Sequence, residues 1–194
     1  NNKPSKREMD MLMASGEQIS IALLAMACEK LGCPAVSLLG WQAGFNTSSA
    51  YGTARIKNVK TDRLRSEIDR HNIVVVAGFQ GINKYDDLTT LGRGGSDTSA
   101  VAIAAALRAD RCQIFTDVEG VYTADPRADE NAKFIDKISY KEMLDMNLQV
   151  MDRTAISLCM DTDIELRVFN MQDTNNFKKV VLGEDIGTTI RKDI

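Results

Sequence analysis

The sequence is poor in histidine, cysteine, proline and tryptophan, with one, four, three and one in 194 residues. The single histidine, His71, sits in the polar run Asp69-Arg70-His71-Asn72 and reads as a surface or turn residue. A histidine-based triad or zinc site is therefore excluded. Cys28, Cys33, Cys112 and Cys159 form no CxxC pair, which fits reduced, packed thiols in a cytoplasmic protein. No apolar run reads as long enough to span a bilayer, and Asn1-Asn2-Lys3-Pro4 opens no signal peptide. No membrane partner is expected. A net charge of -3 gives no electrostatic reason for a nucleic-acid partner. No repeat, low-complexity tract or linker interrupts the chain. What remains is 44% apolar and 26% charged, an ordinary globular composition.

The informative feature is a glycine-rich turn, Thr89-Thr90-Leu91-Gly92-Arg93-Gly94-Gly95-Ser96-Asp97-Thr98-Ser99, running into the helix former at 100–107. Its glycines allow a tight turn and close approach to a ligand. Ser96 or Asp97 reads as the N-cap of the following helix, whose free N–H groups and dipole suit a phosphate or carboxylate. Arg93 adds a planar fork for a carboxylate. A loop leading into a capped surface helix is the plain alternative.

Around this turn, strands and helices alternate. Residues 5–31 read as a long helix with apolar residues at Met9, Leu12, Met13, Ile19, Leu23, Leu24, Ala27 and Leu31, bent near Gly16. Glu17 stands at that weak point. A buried strand follows at 34–39, then a polar loop and a short strand near 54–56. Residues 61–71 read as an amphipathic helix with Leu64 and Ile68 inward and Arg63, Arg65 and Glu67 outward. Ile73-Val74-Val75-Val76-Ala77 suits a central parallel strand covered on both faces, with Gly78-Phe79-Gln80-Gly81 at its carboxyl end. A strand at 112–116 leads into the polar loop 116–127. Helices are expected at 139–146, with a Ser139/Glu142 capping box, and at 152–160, capped by Asp152. A strand is expected at 165–170 and a closing β pair at 177–182 and 188–190. The pattern predicts a three-layer α/β sandwich with a mostly parallel sheet.

Several ordered motifs carry a family resemblance. Ser5-Lys6-Arg7-Glu8-Met9-Asp10, Ser15-Gly16-Glu17-Gln18, Gly40-Trp41-Gln42-Ala43-Gly44, Val76-Ala77-Gly78-Phe79-Gln80-Gly81 and the stretches 89–97 and 116–127 resemble aspartate kinase over roughly residues 1–140. The tail, with Leu148-Gln149-Val150-Met151-Asp152-Arg153, Arg167-Val168-Phe169-Asn170 and Gly183-Glu184-Asp185-Ile186-Gly187-Thr188, resembles bacterial uridylate kinase. Both families share the amino-acid kinase superfold. The resemblance implies one kinase domain over 1–194, substrate-side over 1–110 and nucleotide-binding over 111–194. It also implies a hybrid chain whose two resemblances change over between Val118 and Leu148. The Lys-Phe-Gly-Gly strand and the ACT regulatory domains of aspartate kinases are expected to be missing from this chain, which implies impaired kinase activity.

The resemblance further implies ATP with Mg2+ as cofactors and L-aspartate as acceptor, its side-chain carboxylate becoming an acyl phosphate. Arg93 would clamp the amino-acid carboxylate and Glu17 its ammonium, with Phe79 and Ser96 shaping the pocket. Asp97 would orient the phosphate side. Thr116, Asp117, Tyr122, Asp125 and Arg127 would form the nucleotide pocket. The alternatives are UMP as acceptor, or an inactive nucleotide-binding scaffold. Self-association into a homodimer is expected.

Overall fold

The computed structural model describes residues 3–124, 126, 128–146, 148 and 153–194, the side chains of Arg153 and Thr154 excepted. The chain divides into two compact units, Asn1–Leu107 and Arg108–Ile194.

The first unit opens on α1 (Lys6–Lys30), capped by Ser5, whose hydroxyl accepts the Glu8 N–H at 3.3 Å. The helix runs unbroken through Gly16, which faces open space, so the expected interruption is absent. Its buried positions are Asp10, Ala14, Ile21 and Ala25. The predicted apolar stripe is instead largely exposed, including Leu12, Ile19, Leu23 and Leu24. Ala14 and Ala25 let α1 lie close to its neighbours, and Ile21 is the one large apolar side chain buried on that face. By length and composition α1 could also cross a bilayer, contrary to the reading that no run was long enough. Here it carries the buried carboxylate of Asp10 against protein.

Next come β1 (Ala35–Leu38), β2 (Phe45–Thr47), β3 (Ile56–Val59), α2 (Asp62–Asp69), β4 (Ile73–Val76), β5 (Gln80–Ile82), β6 (Leu88–Thr90) and α3 (Gly95–Leu107). β1 and β4 pair in parallel, Ala35 opposite Ile73 and Leu38 opposite Val76. β4 is half-buried rather than sealed on both faces, with Ile73 exposed. A second sheet has the order β3-β2-β5-β6, with antiparallel hairpins at each side and a parallel contact at Asn46 and Ile82. α1 packs on β1, β4 and β6. On α2, Leu64 is buried as expected, but Glu67 is buried and Ile68 exposed. Glu67 is tolerated inside because Arg63 Nε lies 2.8 Å away and Asn72 Nδ2 donates to it at 2.8 Å.

The second unit contains β7 (Arg111–Thr116), β8 (Val121–Tyr122), β9 (Phe134–Ile135), β10 (Lys137–Ser139), α4 (Tyr140–Asp145), α5 (Arg153–Thr162), β11 (Glu165–Asn170), α6 (Thr174–Val181) and β12 (Thr188–Arg191). Its main sheet has the order β10-β12-β11-β7. β7 and β11 run parallel from Arg111 and Glu165 to Thr116 and Asn170. Tyr140, Met143, Ile156, Leu166, Phe169 and Ile190 fill the core. Tyr140 satisfies its buried hydroxyl by donating to the Ile164 carbonyl at 2.7 Å, and burial pushes that hydroxyl's pKa far up. The Ser139/Glu142 capping box forms as read. Residues 177–182, expected as a strand, belong mostly to α6. Asp173 caps that helix by accepting the Asn175 N–H at 2.9 Å, and Val180 is its buried residue. The expected Asp152 cap lies outside the described residues.

Candidate functional site

The glycine-rich turn is built as its composition requires. Gly92 and Gly94 have φ of 82° and 71°, in the left-handed region that favours glycine. The helix begins at Gly95, two or three residues earlier than a cap at Ser96 or Asp97 implies, so Ser96 and Asp97 lie in the first turn of α3 rather than at its cap. A Cβ on Gly95 would stand 2.8 Å from Leu91 Cβ and 2.9 Å from Phe79 Cδ2. Only glycine lets these three residues meet.

Phe79 is itself left-handed, with φ of 65°, a conformation that bulky residues rarely adopt. Its N–H donates to Ser99 Oγ at 2.8 Å, and its carbonyl accepts the Leu91 N–H at 2.9 Å. Ser99 Oγ donates in turn to the Gly95 carbonyl at 2.7 Å.

Two cavities flank this knot in the first unit. One, of about 360 Å³, is lined by Arg93, Phe79, Asp10, Lys6, Met9 and Met13 among others. The other, of about 490 Å³, is lined by Glu17, Ser96, Ser99, Val76, Ile103 and Leu107 among others. The structure thus brings Phe79 together with Arg93, and Glu17 together with Ser96. Adjacent residues connect the pairs, since Phe79 lines the first cavity and Gly78 the second. Asp97 sits half-buried in the first helical turn and lines neither.

Sequence reasoning missed Asp10. It is 1% exposed and lines the first cavity. Its carboxylate accepts the Thr90 hydroxyl at 2.7 Å, the Thr90 N–H at 3.1 Å and the Gly52 N–H at 3.0 Å. One side chain therefore ties α1, the turn at Gly52 and β6, which leads into Arg93. The available signal was a carboxylate four residues before Ala14 on the helix face that packs.

In the second unit, Thr116 and Asp117 stand at the carboxyl end of β7, beside the end of its parallel partner β11. The Met171 N–H donates to the Thr116 carbonyl at 3.0 Å, and Asn170 Nδ2 to the Asp117 carbonyl at 3.3 Å. The Thr116 hydroxyl donates to Asp117 Oδ1 at 3.3 Å. Paired carboxyl ends of parallel strands are the usual ligand edge of an open α/β sheet. Asn170 belongs to this edge and was not read as a site residue. Its strand was legible, but its parallel partner was not. Tyr122 on β8 packs edge-on against Phe134, centroids 5.5 Å apart, and donates to Glu119 at 3.0 Å. Burial and the Glu119 carboxylate hold its hydroxyl pKa above the ordinary value. Asp125 and Arg127 lie outside the described residues. Among the described residues no group of three His, Cys, Asp or Glu side chains is placed to hold a metal ion.

Comparison with known proteins meets this geometry at the level of family. The model of the amino acid kinase family matches residues 2–170. The chain belongs to the amino acid kinase family. The chain is 53% identical to the aspartokinase of Geobacillus stearothermophilus over 171 residues, 87% of this chain and 42% of that protein. It is 56% identical to the aspartokinase of Corynebacterium glutamicum over 147 residues, 75% of this chain and 35% of that one. The chain thus spans about two fifths of the length of the curated relatives it matches. Among solved structures, E. coli aspartokinase III in complex with aspartate and ADP superposes with a TM-score of 0.86 at 27% identity, over 98% of this chain and 42% of that one. The UMP kinase of Bacillus anthracis superposes at 0.71 over 98% of this chain and 71% of that one; at 24% identity that likeness concerns the fold. The expected α/β class and amino acid kinase fold therefore stand.

Proposed function

We propose that this amino acid kinase is of the aspartate kinase type and transfers the γ-phosphoryl group of ATP to the side-chain carboxylate of L-aspartate. The observation that carries the reading is the Arg93–Asp97 turn, held against left-handed Phe79 at the start of α3. The likeness to aspartokinases at about half identity supports it. In this reading Arg93 pairs with the amino-acid carboxylate and Glu17 with the ammonium, while Phe79 and Ser96 shape the walls. Asp97 orients the phosphate side. The acceptor carboxylate is ionised near neutral pH and needs no general base. One of its oxygens bonds to the γ-phosphorus as the bond to the β-phosphate oxygen breaks, giving aspartyl phosphate and ADP. Positioning and charge neutralisation carry the rate.

In this reading Thr116, Asp117 and Tyr122, joined by Asn170, form the nucleotide edge, and Asp125 and Arg127, which lie outside the described residues, are assigned to the nucleotide by resemblance. ATP supplies the phosphoryl group, and Mg2+ neutralises its charge. We place the protein in the cytoplasm and read it as a homodimer, supported by the exposed Leu12, Ile19, Leu23 and Leu24 on α1. A monomer by light scattering at micromolar concentration contradicts the dimer. The uridylate-kinase resemblance of the tail stays part of this reading, although aspartokinase matches extend over 87% to 90% of the chain.

The test is Arg93→Ala, assayed by trapping acyl phosphate with hydroxylamine. Losing a charge-assisted contact is expected to lower aspartyl hydroxamate formation by about ten- to a hundredfold, with MgATP affinity unchanged. Turnover of aspartate at the unsubstituted rate would show the substrate side to be wrongly assigned.

A further inference from the structure

We infer that Ser99 is a positioning residue for the amino-acid side of the site: its hydroxyl latches the backbone of Phe79 in the left-handed conformation against the first turn of α3. The inference rests on reading Glu17, Phe79, Arg93 and Ser96 as that side.

A phenylalanine at φ of 65° is held against its own Cβ sterics and persists only where its surroundings over-determine it. Three features hold Phe79. The Leu91 N–H fixes its carbonyl, at 2.9 Å. Gly95 leaves room for its ring, where a Cβ would come within 2.9 Å of Cδ2. Ser99 fixes its N–H, at 2.8 Å.

Ser99 is the only one of the three that acts through a side chain. A serine within a helix ordinarily turns its hydroxyl back to the carbonyl four residues earlier, and Ser99 does so, donating to Gly95 at 2.7 Å. That leaves the lone pairs of Oγ to accept the Phe79 N–H. One hydroxyl, 2% exposed with its residue, thus joins the turn after β4 to the start of α3. The approach is close enough that a Cβ on Gly78 would lie 3.3 Å from Ser99 Cβ.

The latch bears on both cavities. The Phe79 ring lines the one with Arg93, and Ser99 lines the one with Glu17 and Ser96. Released, Phe79 relaxes to negative φ, its ring leaves the wall, and the two sets of side chains lose their common reference. Threonine can replace the hydroxyl; alanine cannot.

The experiment compares the full chain with Ser99→Ala and Ser99→Thr by amide hydrogen exchange and by calorimetric titration with L-aspartate and, separately, MgATP. In Ser99→Ala the Phe79 amide is expected to lose its protection and aspartate affinity to fall about tenfold, one hydrogen bond's worth. MgATP affinity stays as in the unsubstituted chain, and Ser99→Thr restores both properties. To separate the latch from general damage, Ser99→Ala is repeated in the Phe79→Gly background. Glycine tolerates positive φ unaided, so the loss of stability on removing the hydroxyl should shrink there. Unchanged protection of the Phe79 amide, unchanged aspartate affinity, or a parallel loss of aspartate and MgATP affinity overturns the inference. An unsubstituted chain that binds no aspartate removes the functional reading alone, and exchange at Phe79 still decides the latch.

Discussion

Asp10 shows how one residue can organise a site it does not chemically serve. Its two oxygens absorb three donors from two other segments, Gly52 and Thr90. Asp10→Ala leaves two N–H groups and a hydroxyl without acceptors in a buried place, and is expected to cost about 2–4 kcal/mol. Asp10→Asn should cost clearly less. Its amide oxygen can accept both N–H groups while the Thr90 hydroxyl turns to accept from the amide. Urea unfolding of both variants checks this, and equal losses would mean that charge rather than hydrogen bonding matters at Asp10.

Elements differ in how openly the sequence announces them. The Gly92–Gly95 turn was legible because positive φ and close approach leave few residues to choose from. β11 and the capping box of α4 were legible for similarly local reasons. α6 was not, because Phe177, Val180, Val181 and Leu182 read as a strand, and the cap at Asp173 was overlooked. In α1 the helix was plain, yet its buried face was inverted. The stripe that packs is made of two alanines, one isoleucine and one aspartate, and hydropathy alone does not reveal such a face. Glu67 was misplaced because a glutamate reads as an outward residue, although its partners Arg63 and Asn72 stand only four residues before and five after it. Asn170 escaped notice because strand pairing is a long-range choice. The cap assigned to α6 is testable: Asp173→Ala should destabilise the second unit by about 1 kcal/mol, the usual worth of an N-cap, seen as a lower melting temperature. Unchanged melting would mean that α6 is held by packing alone.

At the scale of the whole molecule, stability should fall on the acid side. The Tyr51 hydroxyl and Arg7 hold Asp87 below the ordinary carboxylate value, Ser139 holds Glu142 down, and Arg167 holds Asp185 down. A carboxyl group whose folded pKa lies below its unfolded value adds stability that is present above the unfolded pKa and lost as pH falls through the folded one. With ordinary values of 3.8 and 4.5, these contributions are full above about pH 5 and fade below about pH 4. Asp185→Asn combined with Glu142→Gln should flatten the acid limb of melting temperature against pH. A limb of unchanged slope would place acid sensitivity elsewhere.

On the proposed reading the first unit receives an amino acid and the second a nucleotide. Calorimetric titration of the unsubstituted chain with L-aspartate, MgATP and UMP in turn tests it most directly. Saturable heats are expected for L-aspartate and for MgATP, with aspartate affinity about ten- to a hundredfold weaker in Arg93→Ala, and none for UMP. Saturable binding of UMP with no response to L-aspartate would contradict it and make the chain a nucleoside monophosphate kinase on the same fold.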